Sequence, residues 1–133
     1  MQADDRQRRS GGADHRALLV EDDPMMLQLL ADVVQRAGLE PVACRSLSAA
    51  RDALAGSGPA PAVAVVDDDL PDGTGTELVQ QLRASPRLRN VPVVFCTSAA
   101  PPRRREIGRL APVIHKPFVL GDVERVLREA APR

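Results

Sequence analysis

The chain has 133 residues, 44% of them hydrophobic, and its 18 lysines and arginines balance 18 aspartates and glutamates. That length supports one domain with a full core, and zero net charge gives no bulk attraction to nucleic acid or to a membrane surface. Phe95 and Phe118 are the only aromatics, which argues against base stacking on an aromatic platform. The N-terminus is polar and no apolar run is long enough to span a bilayer, so a cytoplasmic protein is expected.

Residues 1–14 lack hydrophobic periodicity and read as a disordered tail, leaving residues 15–133 as the domain. Arg6, Arg8 and Arg9 read as solvated, with contact to an acidic partner the alternative; His15 is expected to be unstructured. Residues 17–20 form a first strand that runs into Glu21, Asp22 and Asp23. Pro24 suits the first position of a helix, with Asp23 as its N-cap. Met25, Met26, Leu29, Leu30, Val33 and Ala37 recur at helical spacing and predict its core face, and Gly38 closes it. Residues 41–44 make a short strand near a sheet edge, because it carries Pro41. Residues 48–55 form a second helix, ended by Gly56-Ser57-Gly58-Pro59. Cys44 and Cys96 have neither metal nor redox spacing and read as small core residues in a reducing compartment.

Val63-Ala64-Val65-Val66 reads as a strand buried on both faces. It stops at Asp67, Asp68 and Asp69, after which Pro71 and Gly73 force a turn, and Thr74 with Glu77 forms a capping box opening a third helix to about residue 84. Turn and cap residues are the ordinary use of aspartate. Three adjacent carboxylates repel one another and only one can cap, so a cation is expected nearby. Residues 91–96 form a fourth strand ending in Thr97 and Ser98. Pro101 and Pro102 open a short arginine-rich segment, residues 103–110, in which Arg103, Arg104 and Arg105 read as a solvated helix face, with a partner surface the alternative. Val113 and Ile114 are a fifth strand, followed by His115-Lys116-Pro117-Phe118, and Val119, Val123, Val126, Leu127 and Ala130 mark the stripe of a last helix. Strand and helix alternate five times, which calls for a five-stranded parallel sheet with helices on both faces.

Such sheets place their chemistry at the carboxyl ends of the strands. Glu21, Asp22, Asp67, Thr97 and Lys116 all stand there. Carboxylates from two strands make a hard-oxygen site suited to Mg²⁺. A carboxylate beside such a metal can attack phosphorus and give an acyl phosphate, while a lysine and a hydroxyl neutralise charge on the transferring group. Taken singly, Thr97 reads as a strand-end hydroxyl bonded to backbone, Lys116 as a solvated lysine, and His115 as a partly buried or solvent-facing histidine.

From about Arg16 to Ala130 the chain resembles the receiver domain of two-component response regulators. The resemblance is carried by Leu19-Val20-Glu21-Asp22-Asp23-Pro24, by Val65-Val66-Asp67 with Leu70-Pro71 and Gly75, by the strand before Thr97, and by Lys116-Pro117-Phe118. It implies a (βα)5 fold of the flavodoxin-like, CheY-like kind. It also implies that Asp67 is the phosphoacceptor, Asp22 a direct ligand of Mg²⁺ (or Mn²⁺), and Glu21 a ligand directly or through water. The backbone carbonyl of Asp69 would complete the protein's metal ligands, Thr97 would be the switch hydroxyl, and Lys116 its ion-pairing lysine. The Lys116–Pro117 bond is expected to be cis. The phosphodonor would be a histidine kinase or histidine phosphotransfer protein. Such a domain is a phosphoprotein that promotes its own phosphorylation and dephosphorylation rather than an enzyme acting on other molecules.

The chain departs from that pattern between Thr97 and Lys116, which are closer together than is usual, so the fourth helix should be short or displaced. Val113 stands where the family commonly has an aromatic that swings inward on phosphorylation. The familiar coupling from Thr97 is thus missing, and with it the basis for expecting dimerisation through the fourth helix, fifth strand and fifth helix. The carboxylate of Asp69 and the small Ser98 and Ala99 bear on the lifetime of the acyl phosphate. The chain ends within three residues of Ala130, which gives the expectation of a stand-alone receiver signalling by protein–protein contact to an unspecified downstream protein. Two other readings compete: a receiver-fold binding module that works unphosphorylated, and a phosphatase of the haloacid-dehalogenase kind built on Asp67 and Asp69. The phosphatase needs its metal-binding acids after the lysine, whereas Glu21 and Asp22 precede the nucleophile.

Overall fold

The computed structural model describes residues 15–118 and 120–130. In chain order the elements are β1 (Arg16–Val20), α1 (Pro24–Arg36), β2 (Glu40–Cys44), α2 (Leu47–Leu54), β3 (Val63–Val66), β4 (Asp69–Leu70) and β5 (Gly73–Thr74). They continue with α3 (Gly75–Ala84), β6 (Val93–Thr97), α4 (Pro101–Gly108), β7 (Val113–His115) and α5 (Leu120–Ala130). Five strands form one parallel sheet in the order β2-β1-β3-β6-β7, and β4 and β5 pair as a separate antiparallel ribbon. Pro41 lies in edge strand β2, where its missing N–H costs the ladder least.

Alternation along each strand divides the core into two layers. Leu18, Val20, Ala64, Val66 and Phe95 face α2, α3 and α4 through Leu47, Ala50, Leu78, Val79, Leu82 and Ile107. Ala17, Leu19, Val63, Val65, Val94 and Cys96 face α1 and α5 through Leu27, Leu30, Val33, Val34, Val123 and Leu127. β3 lies at the centre, buried at all four positions, as its run of valines requires.

The helix ends follow local rules. Asp23 caps α1 by accepting from the N–H groups of Met25 and Met26, and Gly38 takes the left-handed φ of 85° just past its end. Thr74 and Glu77 form the full capping box of α3. The core face of α1 is rotated from the expected one. Met25 is 83% exposed, and Leu29 and Ala37 are exposed, while Leu27, Leu30, Val33 and Val34 are buried. Apolar residues occur all round the first turns of this helix, so spacing alone does not set its phase; packing on β1 and β3 does. Helix α2 starts one residue before the expected position because Ser46, not Leu47, is its cap. Helix α4 is short, as expected, and Ile107 is its buried residue. Its N-cap, Ala100, makes no side-chain bond. His15 belongs to the structure after all: its carbonyl accepts from the N–H of Glu40, extending the β1–β2 pairing. The expectations for residues 1–14 and 131–133 and for Val119 lie outside the described residues. Among the described residues no helix is long and apolar enough to cross a membrane.

Gly75 brings α3 against the end of β3. A Cβ there would overlap the carbonyl oxygen of Asp67 and come within 2.7 Å of Val66 Cγ1. Gly75→Ala should therefore destabilise the fold by about 1–3 kcal/mol, the usual range for overpacking. Urea unfolding would show it, and an unchanged midpoint would mean that the helix can move away from β3 freely.

Candidate functional site

The parallel ladders continue one step past the strands and fix the polar residues there. The N–H of Glu21 donates to Cys44 O at 3.0 Å, that of Asp67 to Val20 O at 2.9 Å, and that of Lys116 to Thr97 O at 2.8 Å. The sequence thus delivers Glu21, Asp67, Thr97 and Lys116 to one rim of the sheet. The Lys116–Pro117 bond is cis.

Lys116 ties two strand ends together. Its Nζ donates to Glu21 Oε1 at 2.5 Å and to Asp67 Oδ2 at 3.1 Å. The other oxygens of these acids are also engaged: Glu21 Oε2 accepts from Asp23 N–H at 3.0 Å, and Asp67 Oδ1 from Asp69 N–H at 3.2 Å. Glu21 is 1% exposed and Asp67 7%, whereas Asp22 is exposed at the mouth, with Arg45 donating to its carbonyl oxygen. Burial raises the pKa of Glu21 despite the bond from Lys116. Burial also pulls that of Lys116 down, but its bonds and charges with Glu21 and Asp67 outweigh this and raise it, so the ammonium persists. Behind them, burial pushes the Cys96 thiol up to about 12.

One carboxylate oxygen each from Glu21, Asp22 and Asp67 lies within 4.8 Å of the others. Three acids around one ammonium leave a net negative pocket of hard oxygen donors, which fits a divalent cation such as Mg²⁺. Thr97, 2% exposed, ends β6 on the same rim, and its Oγ1 accepts from Ala99 N–H at 3.1 Å. It makes the backbone bond an ordinary strand-end hydroxyl would make, and no described hydrogen bond joins it to Asp67. Asp69 takes part through its backbone, its side chain being exposed. His115 is exposed.

The three adjacent aspartates are separated by their partners. Asp67 meets Lys116, Asp69 faces solvent, and Asp68, 6% exposed, meets Arg103. Arg103 is therefore not the solvated residue expected. Its Nε and Nη2 bond both oxygens of Asp68 at 2.8 and 3.0 Å, Nη2 also reaches Thr76 Oγ1 at 3.1 Å, and Nη1 bonds Glu106. The run of three arginines hid which one turns inward. The expected cation near the aspartates was the available signal, and two cations answer it.

Asp72 has a part that the sequence did not announce. From the β4–β5 turn it accepts from the N–H groups of Leu47 and Ser48 at 2.8 and 2.9 Å, at the start of α2. These bonds hold its pKa below the ordinary 3.8. A depressed pKa contributes stability that is present above the unfolded value and lost as pH falls through the folded one. Asp72→Ala should accordingly unfold at lower urea than the unaltered protein near neutrality, with the gap between the two midpoints narrowing as the pH is taken below the ordinary 3.8. A gap that persisted undiminished in acid would remove the charge from this account.

This sheet and rim are those of a response regulator receiver domain, and the model of that domain family matches residues 17–126. The chain belongs to the receiver-domain family of two-component signalling. It is 40% identical over 72 residues to the photosynthetic apparatus regulatory protein RegA of Rhodovulum sulfidophilum, covering 54% of this chain and 38% of RegA. To the phosphate regulon transcriptional regulatory protein PhoB of Escherichia coli it is 27% identical over 124 residues, 88% of this chain and 53% of PhoB. The chain thus spans about half or less of the length of these curated relatives. Among solved structures, the non-phosphorylated HemR receiver domain of Leptospira biflexa superposes with a TM-score of 0.75 at 27% identity, covering 89% of this chain and 94% of that one.

Proposed function

We propose that Asp67 accepts a phosphoryl group from a histidine kinase or histidine phosphotransfer protein in the cytoplasm, with Mg²⁺ held by Glu21, Asp22, Asp67 and the Asp69 carbonyl. The signal leaves by protein–protein contact that depends on this modification. The observation that carries the reading is the buried Asp67 carboxylate, aimed by Lys116 and the Asp69 N–H and clustered with Glu21 and Asp22.

In the reaction a carboxylate oxygen of Asp67 forms the new bond to phosphorus. The bond from phosphorus to the donor atom, nitrogen in a phosphohistidine, breaks, and its electron pair stays with the donor. Bound Mg²⁺ would supply neutralising charge to the phosphoryl oxygens. Lys116 supplies a second, fixed positive charge on the same side of the sheet. The hydroxyl of Thr97 accepts from Ala99 and so keeps its own proton to donate to a phosphoryl oxygen. The protein thereby serves as an acceptor that promotes its own modification, not as a catalyst acting on other substrates.

Incubation with Mg²⁺ and acetyl phosphate, followed by intact mass, tests the reading. One added phosphoryl group that requires Mg²⁺ is the expected result. A chain that takes none, and that beryllofluoride also leaves unchanged, is a constitutive binding module on a receiver fold.

A further inference from the structure

Helix α4 is short and packs on β6 and β7. It has eight residues, an N-cap without a side-chain bond, and one buried side chain, Ile107. Its side-chain tie to the Asp67 loop and α3 is Arg103, whose fork closes on both oxygens of Asp68 and on the Thr76 hydroxyl at the start of α3. Asp68 is nearly buried and directly follows Asp67 in the chain. Its carboxylate also accepts from the N–H of Thr76, so the anion that Arg103 grips is itself held firmly to α3.

A second connection reaches α4 from the same rim. Thr97 Oγ1 accepts from Ala99 N–H, and the carbonyl of Ala100 accepts the first helical bond of α4, from Arg104 N–H. The start of α4 is therefore held between two handles: the short stretch from Thr97, and the grip of Arg103 on Asp68. One handle ends on Asp68, which follows Asp67 in the chain, and the other on Thr97, which ends the strand paired to β3.

We infer that the Arg103–Asp68 pair is the latch through which phosphorylation of Asp67 is transmitted to α4. The inference rests on Asp67 being the phosphoacceptor. Phosphorylation replaces the single negative charge of the Asp67 carboxylate with about −1.5 to −2 on the phosphoryl group, a net gain of about half to one negative charge carried outward on three oxygens. Placed on Asp67, the group repels the carboxylate of Asp68, attracts the guanidinium of Arg103, and engages the Thr97 hydroxyl. These actions shear the pair while the stretch from Thr97 pulls on the start of α4. Phosphorylation thus loosens the helix, and the latch makes the helix respond to charge at Asp67. Arg103 is in this sense a positioning residue that acts through Asp68 and touches no reacting atom.

The test is amide hydrogen exchange of residues 103–110 in the full chain with Mg²⁺, with and without acetyl phosphate, while intact mass reads the phosphorylated fraction in the same samples. In the unaltered protein, exchange across α4 should rise on phosphorylation. In Arg103→Gln it should already be faster by about tenfold, a modest figure because the arginine is more than a third exposed and screened by solvent, and acetyl phosphate should add little. The double variant Asp68→Asn with Arg103→Gln removes the buried unpaired acid and should regain global stability, yet its α4 should still fail to respond. Arg103→Lys, which keeps the charge but not the fork, should recover part of the response. If phosphoryl uptake is normal and α4 responds equally in the unaltered protein and in both glutamine variants, the latch is overturned and the acceptor reading stands. If no phosphoryl group is taken up, the acceptor reading fails and the latch falls with it.

Discussion

With Asp67→Asn, the chain is expected to gain no phosphoryl group from acetyl phosphate and Mg²⁺, while the unaltered chain gains one. The effect should be all or none by intact mass, because among the described bonds Lys116 reaches no acid but Asp67 and Glu21, and both oxygens of Glu21 are taken by Lys116 and the Asp23 N–H. Asp68 has both oxygens held by Arg103, and Asp69 lies outside the reach of Lys116 with its side chain in solvent. The substitution should not cost stability, since it removes one of three clustered carboxylates and leaves Lys116 its bond to Glu21. It should weaken the stabilisation that Mg²⁺ gives, because one anionic donor is lost. A phosphoryl adduct that survived in Asp67→Asn would move the acceptor to another residue and overturn the assignment.

Lys116→Met is expected to have the largest effect on stability. The change keeps the aliphatic stem and removes the ammonium that pairs two nearly buried acids. Breaking a buried pair from one side costs roughly 3–5 kcal/mol, since the other charge is left without compensation. The lower end applies here, because Glu21 and Asp67 keep their bonds from the N–H groups of Asp23 and Asp69. About 3 kcal/mol corresponds to a fall of roughly 10 °C in Tm for a domain of this size. Mg²⁺ should restore part of the loss, the cation replacing the missing charge between Glu21 and Asp67. Thermal unfolding with and without Mg²⁺ measures both effects. A Tm unchanged without metal would show that Lys116 contributes no net stability, and a deficit insensitive to Mg²⁺ would count against the acids as the cation's ligands.

The parts of this protein that its sequence announces are those decided locally. The valine run of β3, the cap at Asp23, the capping box at Thr74 and Glu77, and the prolines opening α1 and α4 each depend on residues a few positions apart, and all appear as read. The convergence of Glu21, Asp67 and Lys116 was legible for a different reason. Parallel strands must end on the same side, so residues just past them meet whatever lies between in the chain. What escaped notice is rotation about a helix axis and contact at long separation. The phase of α1 is hidden because apolar residues surround its first turns, and Met25 was misplaced into the core. The turn of Arg103 toward Asp68 depends on how α4 settles on the sheet, and its two arginine neighbours gave no reason to single it out. Asp72 reads as a turn residue, which it is; that it also ends the backbone of α2, 25 residues away, requires the fold.

The stretch after Asp67 is tied down along its length: the Asp69–Thr74 pairing, the bonds of Asp72 to α2, and the contact of Gly75 with Asp67 all belong to it. Ordering a residue's backbone costs roughly 1–2 kcal/mol in conformational entropy. In the function proposed above, that cost is met during folding, so it would not add to the activation barrier for phosphoryl transfer, and Asp67 would be presented ready aligned. A small, weakly bound donor would therefore be expected to react without first closing the pocket around itself. The choice between donors is left to what they touch outside the pocket, and the speed of reaction to what is already in place within it.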